Sequence, residues 1–154
     1  MQRSPRSQPP ARRWSSSAIG CVPGVAPSCS DGDACTTDAC DARTGCVFTE
    51  LPGIDFVACA LTAHLGPLLP GAGTTRLAHA LSARLASAER QVGAARGSPP
   101  RRARRHLGAA RRIVLAMRRL AHRGGRTLGA TIVDPIVFQC LAIARRIRDV
   151  QGTL

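Results

Sequence analysis

The chain predicts a small, irregular, disulfide-rich module followed by an all-α bundle of three helices, with a partial fourth if residues 54–65 pack on it. Three observations carry this. Four cysteines, Cys29, Cys35, Cys40 and Cys46, stand in a C-x5-C-x4-C-x5-C array among Asp, Gly and Thr, with no helix or strand period running through them. Such a segment cannot bury an apolar core, so covalent cross-links must hold it. Residues 74–151 instead carry three apolar stripes at helical spacing. The only aromatics are Trp14, Phe48, Phe56 and Phe138, so the core is thin and aliphatic.

Residues 1–20 read as a disordered Arg/Ser/Pro-rich tail. Residues 21–53 form the Cys-rich module, broken into turns by Gly24, Pro27, Gly32, Gly45, Pro52 and Gly53. Residues 54–73 are expected to be a short helix and a linker: 54–65 places Phe56, Cys59, Ala60 and Ala63 on one side, and GPLLPGAG follows. Residues 74–151 are the Arg-rich bundle. Thr74 or Thr75 caps its first helix, whose stripe is Leu77, Leu81, Leu85, Ala88, Val92 and Ala95, and Gly97 ends it. Ser98 is the expected cap of the second helix, with Pro99 at the first helical position. Its stripe is Ala103, Leu107, Ala110, Val114, Met117 and Ala121. Asp134-Pro135 repeats the cap signal for a third helix with Val137, Cys140, Leu141, Ala144 and Ile147 inward. The short loops predict antiparallel neighbours.

Charge is distributed unevenly. Residues 1–20 hold four Arg and no acid; residues 21–59 hold one Arg against six acids. Residues 60–154 hold 17 Arg against three acids, a net +14. Every one of the 22 basic residues is Arg, a usage that points to the coding bias of a GC-rich genome. No run of about 18 apolar residues is seen, so no transmembrane segment is expected. No secretory h-region follows Met1, which is expected if the start lies inside a longer gene.

Sulfur at these spacings forms disulfides in preference to a zinc site, whose ligands usually come from tighter C-x2-4-C turns. Three connectivities are open for the box. Seven cysteines leave an odd one. The simplest count joins Cys59 to Cys140, closing a loop of about 80 residues worth ~4 kcal/mol on the chain-entropy model, and leaves Cys21 over. The plainer alternative makes Cys59 and Cys140 buried small apolar residues. Asp31, Asp33, Asp38 and Asp41 are hard oxygen ligands that calcium would take, but the EF-hand spacing is absent and turn-forming Asp explains them better. No metal or other cofactor is expected.

The box resembles the Cys-rich repeat of slime-mould extracellular-matrix proteins, which also occurs in secreted proteins of delta-proteobacteria and related bacteria. The pattern C-[DN]-D-G-[ND]-x-C-T-x-D-x-C-[DN]-x-x-x-G-C is matched at Cys29, Asp31, Gly32, Asp33, Cys35, Thr36, Asp38, Cys40, Asp41, Gly45 and Cys46, and departed from at Ser30. The resemblance implies an extracellular or cell-surface location and a structural or adhesive role without catalysis. Residues 74–151 also resemble the FIMAH-type helical modules of secreted bacterial proteins, in a Leu-rich first helix, a Gly-containing turn and a last helix near Ile143-Ala-Arg-Arg-Ile147. That resemblance implies a non-catalytic accessory domain.

Arg104-Arg105, Arg111-Arg112 and Arg118-Arg119 recur every seven residues, one charged strip rising ~10.5 Å per repeat. Arg101, Arg102, Arg123 and Arg126 extend it. Guanidinium forks match planar anions, so these six are the anion-binding candidates. A solvated face is the plainer reading. Nucleic-acid binders usually add aromatic stacking, which this region lacks. His64, His79, His106 and His122 are scattered, and no carboxylate pair or nucleophile–base set can be assembled, so no enzyme is expected. The expected function is a non-catalytic structural or adhesive piece of a secreted or surface bacterial protein. Its partners would be an acidic glycan or another surface protein. An Arg-rich bundle binding nucleic acid or another acidic polymer is the competing class.

Overall fold

The computed structural model describes residues 14–17, 20–23, 29–41 and 43–154, with the backbone alone for 14–17, 20–23, 126 and 127. The chain divides into two units, Met1–Glu50 and Leu51–Leu154.

The first unit contains two antiparallel hairpins. Strand β1, Trp14–Ser17, pairs with β2, Gly20–Pro23. This corrects the expectation of disorder up to residue 20; residues 1–13, 18 and 19 lie outside the described residues. Strand β3, Thr36–Asp41, pairs with β4, Gly45–Glu50, so the cysteine box is not irregular throughout. The turn explains why. Asp41 faces Gly45 across the register, and the Asp41 carboxylate accepts the amides of Arg43 and Thr44, both at 2.8 Å. Gly45 has φ +87°, the left-handed conformation that a three-residue hairpin loop requires. Both strands are largely exposed, and a two-stranded hairpin is marginal in water. The covalent link described below therefore contributes what packing does not.

The second unit is helical. Helix α1, Gly53–Cys59, runs into a π-helical turn, Ala60–Leu65, and two 3-10 turns, Gly66–Leu68 and Pro70–Ala72. Its buried side is Val57, Ala60, Leu61 and Leu65, not the side of Phe56, Cys59 and Ala63. The expected linker 66–73 is wound and buries Leu69 and Ala72. Gly53–Ala72 also reaches, by length and composition, what a membrane crossing requires, with hydropathy 1.3 over a window within it. That corrects the expectation that no such stretch exists. Here α1 and the π turn rest on the long helices as a short fourth member.

Helix α2 spans Arg76–Ala95, α3 Pro100–Arg123, α4 Gly125–Leu128 and α5 Ala130–Thr153. The Thr75 hydroxyl accepts the Ala78 amide at 3.1 Å and caps α2. Ala78 joins the buried stripe of α2, and Leu77 is only half-buried. Ser98 does not cap α3; its hydroxyl donates to the Ala94 carbonyl at 2.7 Å and closes the end of α2, and Pro99 and Pro100 open α3. All six stripe residues of α3 are buried. Helix α5 begins a turn before the Asp134-Pro135 signal, after Gly129 at φ +78°, and holds Pro135 inside. Its buried face centres on Ile136, Cys140, Ile143, Ala144 and Ile147; Val137 and Leu141 are half-buried.

Helix α3 packs against both α2 and α5, and α1 packs against α2 and α5 in turn. Side chains tie the layers. His106 on α3 meets Gln91 on α2 at 2.9 Å, and Gln151 on α5 donates to the Arg104 carbonyl at 2.9 Å. The Arg146 guanidinium lies 4.8 Å from the centre of the Phe56 ring, joining α5 to α1. Among the described residues no polar or charged side chain is buried, so the interior is an aliphatic seam.

Candidate functional site

The candidate residues fall in two places: the cysteine hairpin and the outer face of α3.

In the hairpin, Cys29 is joined to Cys46 with Cα atoms 5.3 Å apart, inside the range a disulfide needs. The bond ties the start of the module to the first turn of β4. Cys35 and Cys59 are also disulfide-bonded. Cys40 stands opposite Cys46 in the β3–β4 register, and its sulfur lies within 4.8 Å of those of Cys29 and Cys46. Two of these three sulfurs are bonded to one another, so the trio does not offer zinc a thiolate set.

The expected Cys59–Cys140 bridge is not formed. Cys140 is a free thiol with no exposed surface, held on the inner face of α5. Burial pushes its pKa up to about 12, partly offset by the positive charge of Arg118. It is the small buried apolar residue that the alternative reading describes. The side chain of Cys21 lies outside the described residues.

The acidic residues build turns. Asp31 Oδ1 accepts the Asp33 amide at 2.8 Å, and Asp33 Oδ1 accepts the Cys35 amide at 2.8 Å. The Thr36 hydroxyl lies 3.0 Å from Asp31 Oδ1 and 2.9 Å from the Asp33 carbonyl. Asp38 Oδ1 is 3.3 Å from the same hydroxyl. Asp41 holds the hairpin loop, and the Thr44 and Arg43 amides pull its pKa below the usual carboxylate value. Each carboxylate thus satisfies nearby donors, which is the ordinary work of turn Asp.

On α3, Arg104, Arg105, Arg112, Arg118 and Arg119 are exposed, whereas Arg111 is half-buried. The Arg111 Nε is buried and lacks a hydrogen-bond partner among the described residues. The strip is therefore not uniform. Arg112 shares a shallow groove with Arg84 of α2 and Ile113. Arg118, Arg119, His122 and Arg123 line a cavity of about 210 Å³ at the end of the helix. None of the six candidate arginines makes an ion pair among the described residues. The sequence places His122 among the arginines but does not single it out as part of the anion-binding set. Its position one turn beyond Arg118-Arg119 was the available signal.

A further cavity, about 340 Å³, lies between the 3-10 turns and α2 and is lined in part by His79, Ser82 and Glu89. Among the described residues no hydrogen bond links these three into a nucleophile–base pair.

No curated protein and no solved structure matches the chain. A family model does match one part of it, residues 28–51 of the 154. The matched stretch is the one that contains the Asp turns, the β3–β4 hairpin and the Cys29–Cys46 bond. Residues 28–51 are similar to a Dictyostelium (slime mold) repeat, a match that suggests a Cys-rich structural module over that stretch.

Proposed function

We propose that the protein is a non-catalytic structural or adhesive module of the secreted or cell-surface bacterial type. In this reading the repeat is a rigid display element and the helical unit docks or spaces it. One observation carries the reading: a hairpin too small and too exposed to stand by packing is closed by Cys29–Cys46. Such a bond persists in oxidising compartments and is rare in the reducing cytosol. The match of the same residues to the slime-mould Cys-rich repeat is consistent with the same address. The all-Arg basic complement supports a GC-rich bacterial source.

Peptide mapping under non-reducing conditions, on protein recovered from the medium or the cell surface, tests this. The expected result is a Cys29–Cys46 linked peptide, oxidised Cys35 and Cys59, and a Cys140 that alkylates only after unfolding. Stable protein with Cys29 and Cys46 as free thiols, or protein confined to the cytosol, would sink the proposal.

A further inference from the structure

We infer that the outer face of α3, from Arg104 to Arg123, binds a linear anionic polysaccharide, held most closely at the cavity of Arg118, Arg119, His122 and Arg123. The choice of polysaccharide over nucleic acid rests on the secreted reading above; the charged face does not.

The first argument is charge. Helix α3 carries nine Arg and no acid in its 24 residues. None of its candidate arginines is neutralised by an ion pair among the described residues, although Arg96, just past the end of α2, does find Asp55 at 2.7 Å. Four cationic or ionisable side chains converge on one cavity of about 210 Å³. Their guanidinium forks present planar paired donors, the geometry that carboxylate and sulfate groups accept.

The second argument is shape. Successive Arg pairs lie ~10.5 Å apart along a helix of ~36 Å. That spacing is about one Debye length at 0.1 M salt, so a polymer that spans several pairs gathers their attraction while a single small anion meets only one. The same face suits nucleic acid poorly. It has no aromatic residue on which single-stranded bases could stack.

The test uses the whole oxidised chain and three probes of matched charge: a sulfated polysaccharide of the heparin type, an unsulfated polyuronate, and single-stranded DNA. Wild type is compared with R118A/R119A/R123A and with a charge-matched control, R76A/R90A/R148A, whose arginines are exposed on α2 and α5. Helical circular dichroism confirms that both variants fold. We expect salt-sensitive binding to at least one polysaccharide, about 10-fold or more weaker in the α3 variant and far less changed in the control. Preference for the sulfated or the uronate chain then names the anionic group. Equal loss in both variants, or tighter binding to DNA than to either polysaccharide, overturns the inference. Absence of polysaccharide binding while Cys29–Cys46 is intact in the same sample also overturns it, and leaves the secreted-module reading standing.

Discussion

Cys140 reads in the sequence as a disulfide partner and is a buried, inert thiol in the fold. Its thiol has no exposed surface, and burial lifts its pKa from 9.0 to about 12. The thiolate is the nucleophile, so native Cys140 should resist iodoacetamide and label only in denaturant. The same shift has a consequence for stability. The folded state keeps the proton to a higher pH than the unfolded chain does. Above pH 9.0 the unfolded state therefore binds fewer protons, and stability falls with rising pH until the folded thiol itself ionises near pH 12. Urea midpoints at neutral pH and at pH 10.5 should thus diverge more for wild type than for Cys140→Ala, which lacks the titrating group. An equal alkaline loss in both would show that the thiol is not buried as described. Asp41 works in the opposite sense: amide donors from Thr44 and Arg43 lower its pKa, so what it contributes to the hairpin turn is present above the ordinary carboxylate pKa and lost as the pH drops below it.

At the scale of elements, the long helices were legible because their stripes are periodic and nothing competes with them. Every residue assigned inward on α3 is buried. Boundaries were less legible where two signals overlap. Ser98 reads as the cap of the second helix, yet its hydroxyl goes back to Ala94 at the end of the first. The hairpin was missed because its strands alternate without an apolar side; the Asp41-to-Gly45 loop was the signal present. The 66–73 segment reads as linker from its Gly and Pro, yet Leu69 and Ala72 are drawn into the core. Pro135 reads as a helix start because proline is at home there. In α5 it stands at the sixth position, where its missing N–H leaves the Thr131 carbonyl without its i+4 donor. Pro135 is exposed, so Pro135→Ala removes no packing. We expect it to stabilise the protein by about 1–3 kcal/mol in urea unfolding. A neutral or destabilising result would place the start of the helix at Pro135 after all.

At the scale of the whole molecule, the two units are held by different forces. The core of α2, α3 and α5 is aliphatic, and its one cysteine, Cys140, is a free thiol. Those helices owe their stability to apolar burial, which a reductant does not touch. The hairpin unit buries little along β3 and β4 and is closed by a bond between residues 17 apart. A loop of that size is worth about 3 kcal/mol on the chain-entropy model, a large share of what so small a unit can hold. Hydrogen exchange followed by mass spectrometry, with and without dithiothreitol, separates the two contributions. Reduction should release the amides of 36–50 by about a hundredfold, the equivalent of those 3 kcal/mol, while peptides from 81–92, 107–121 and 136–147 keep their protection. Cys29→Ser should reproduce the reduced pattern without reductant. If the helices lost protection together with the hairpin, the disulfides would be holding the entire chain. If the hairpin kept its protection when reduced, its turn hydrogen bonds from Asp31, Asp33 and Asp41 would be sufficient, and the bond would be a marker of compartment without a mechanical role.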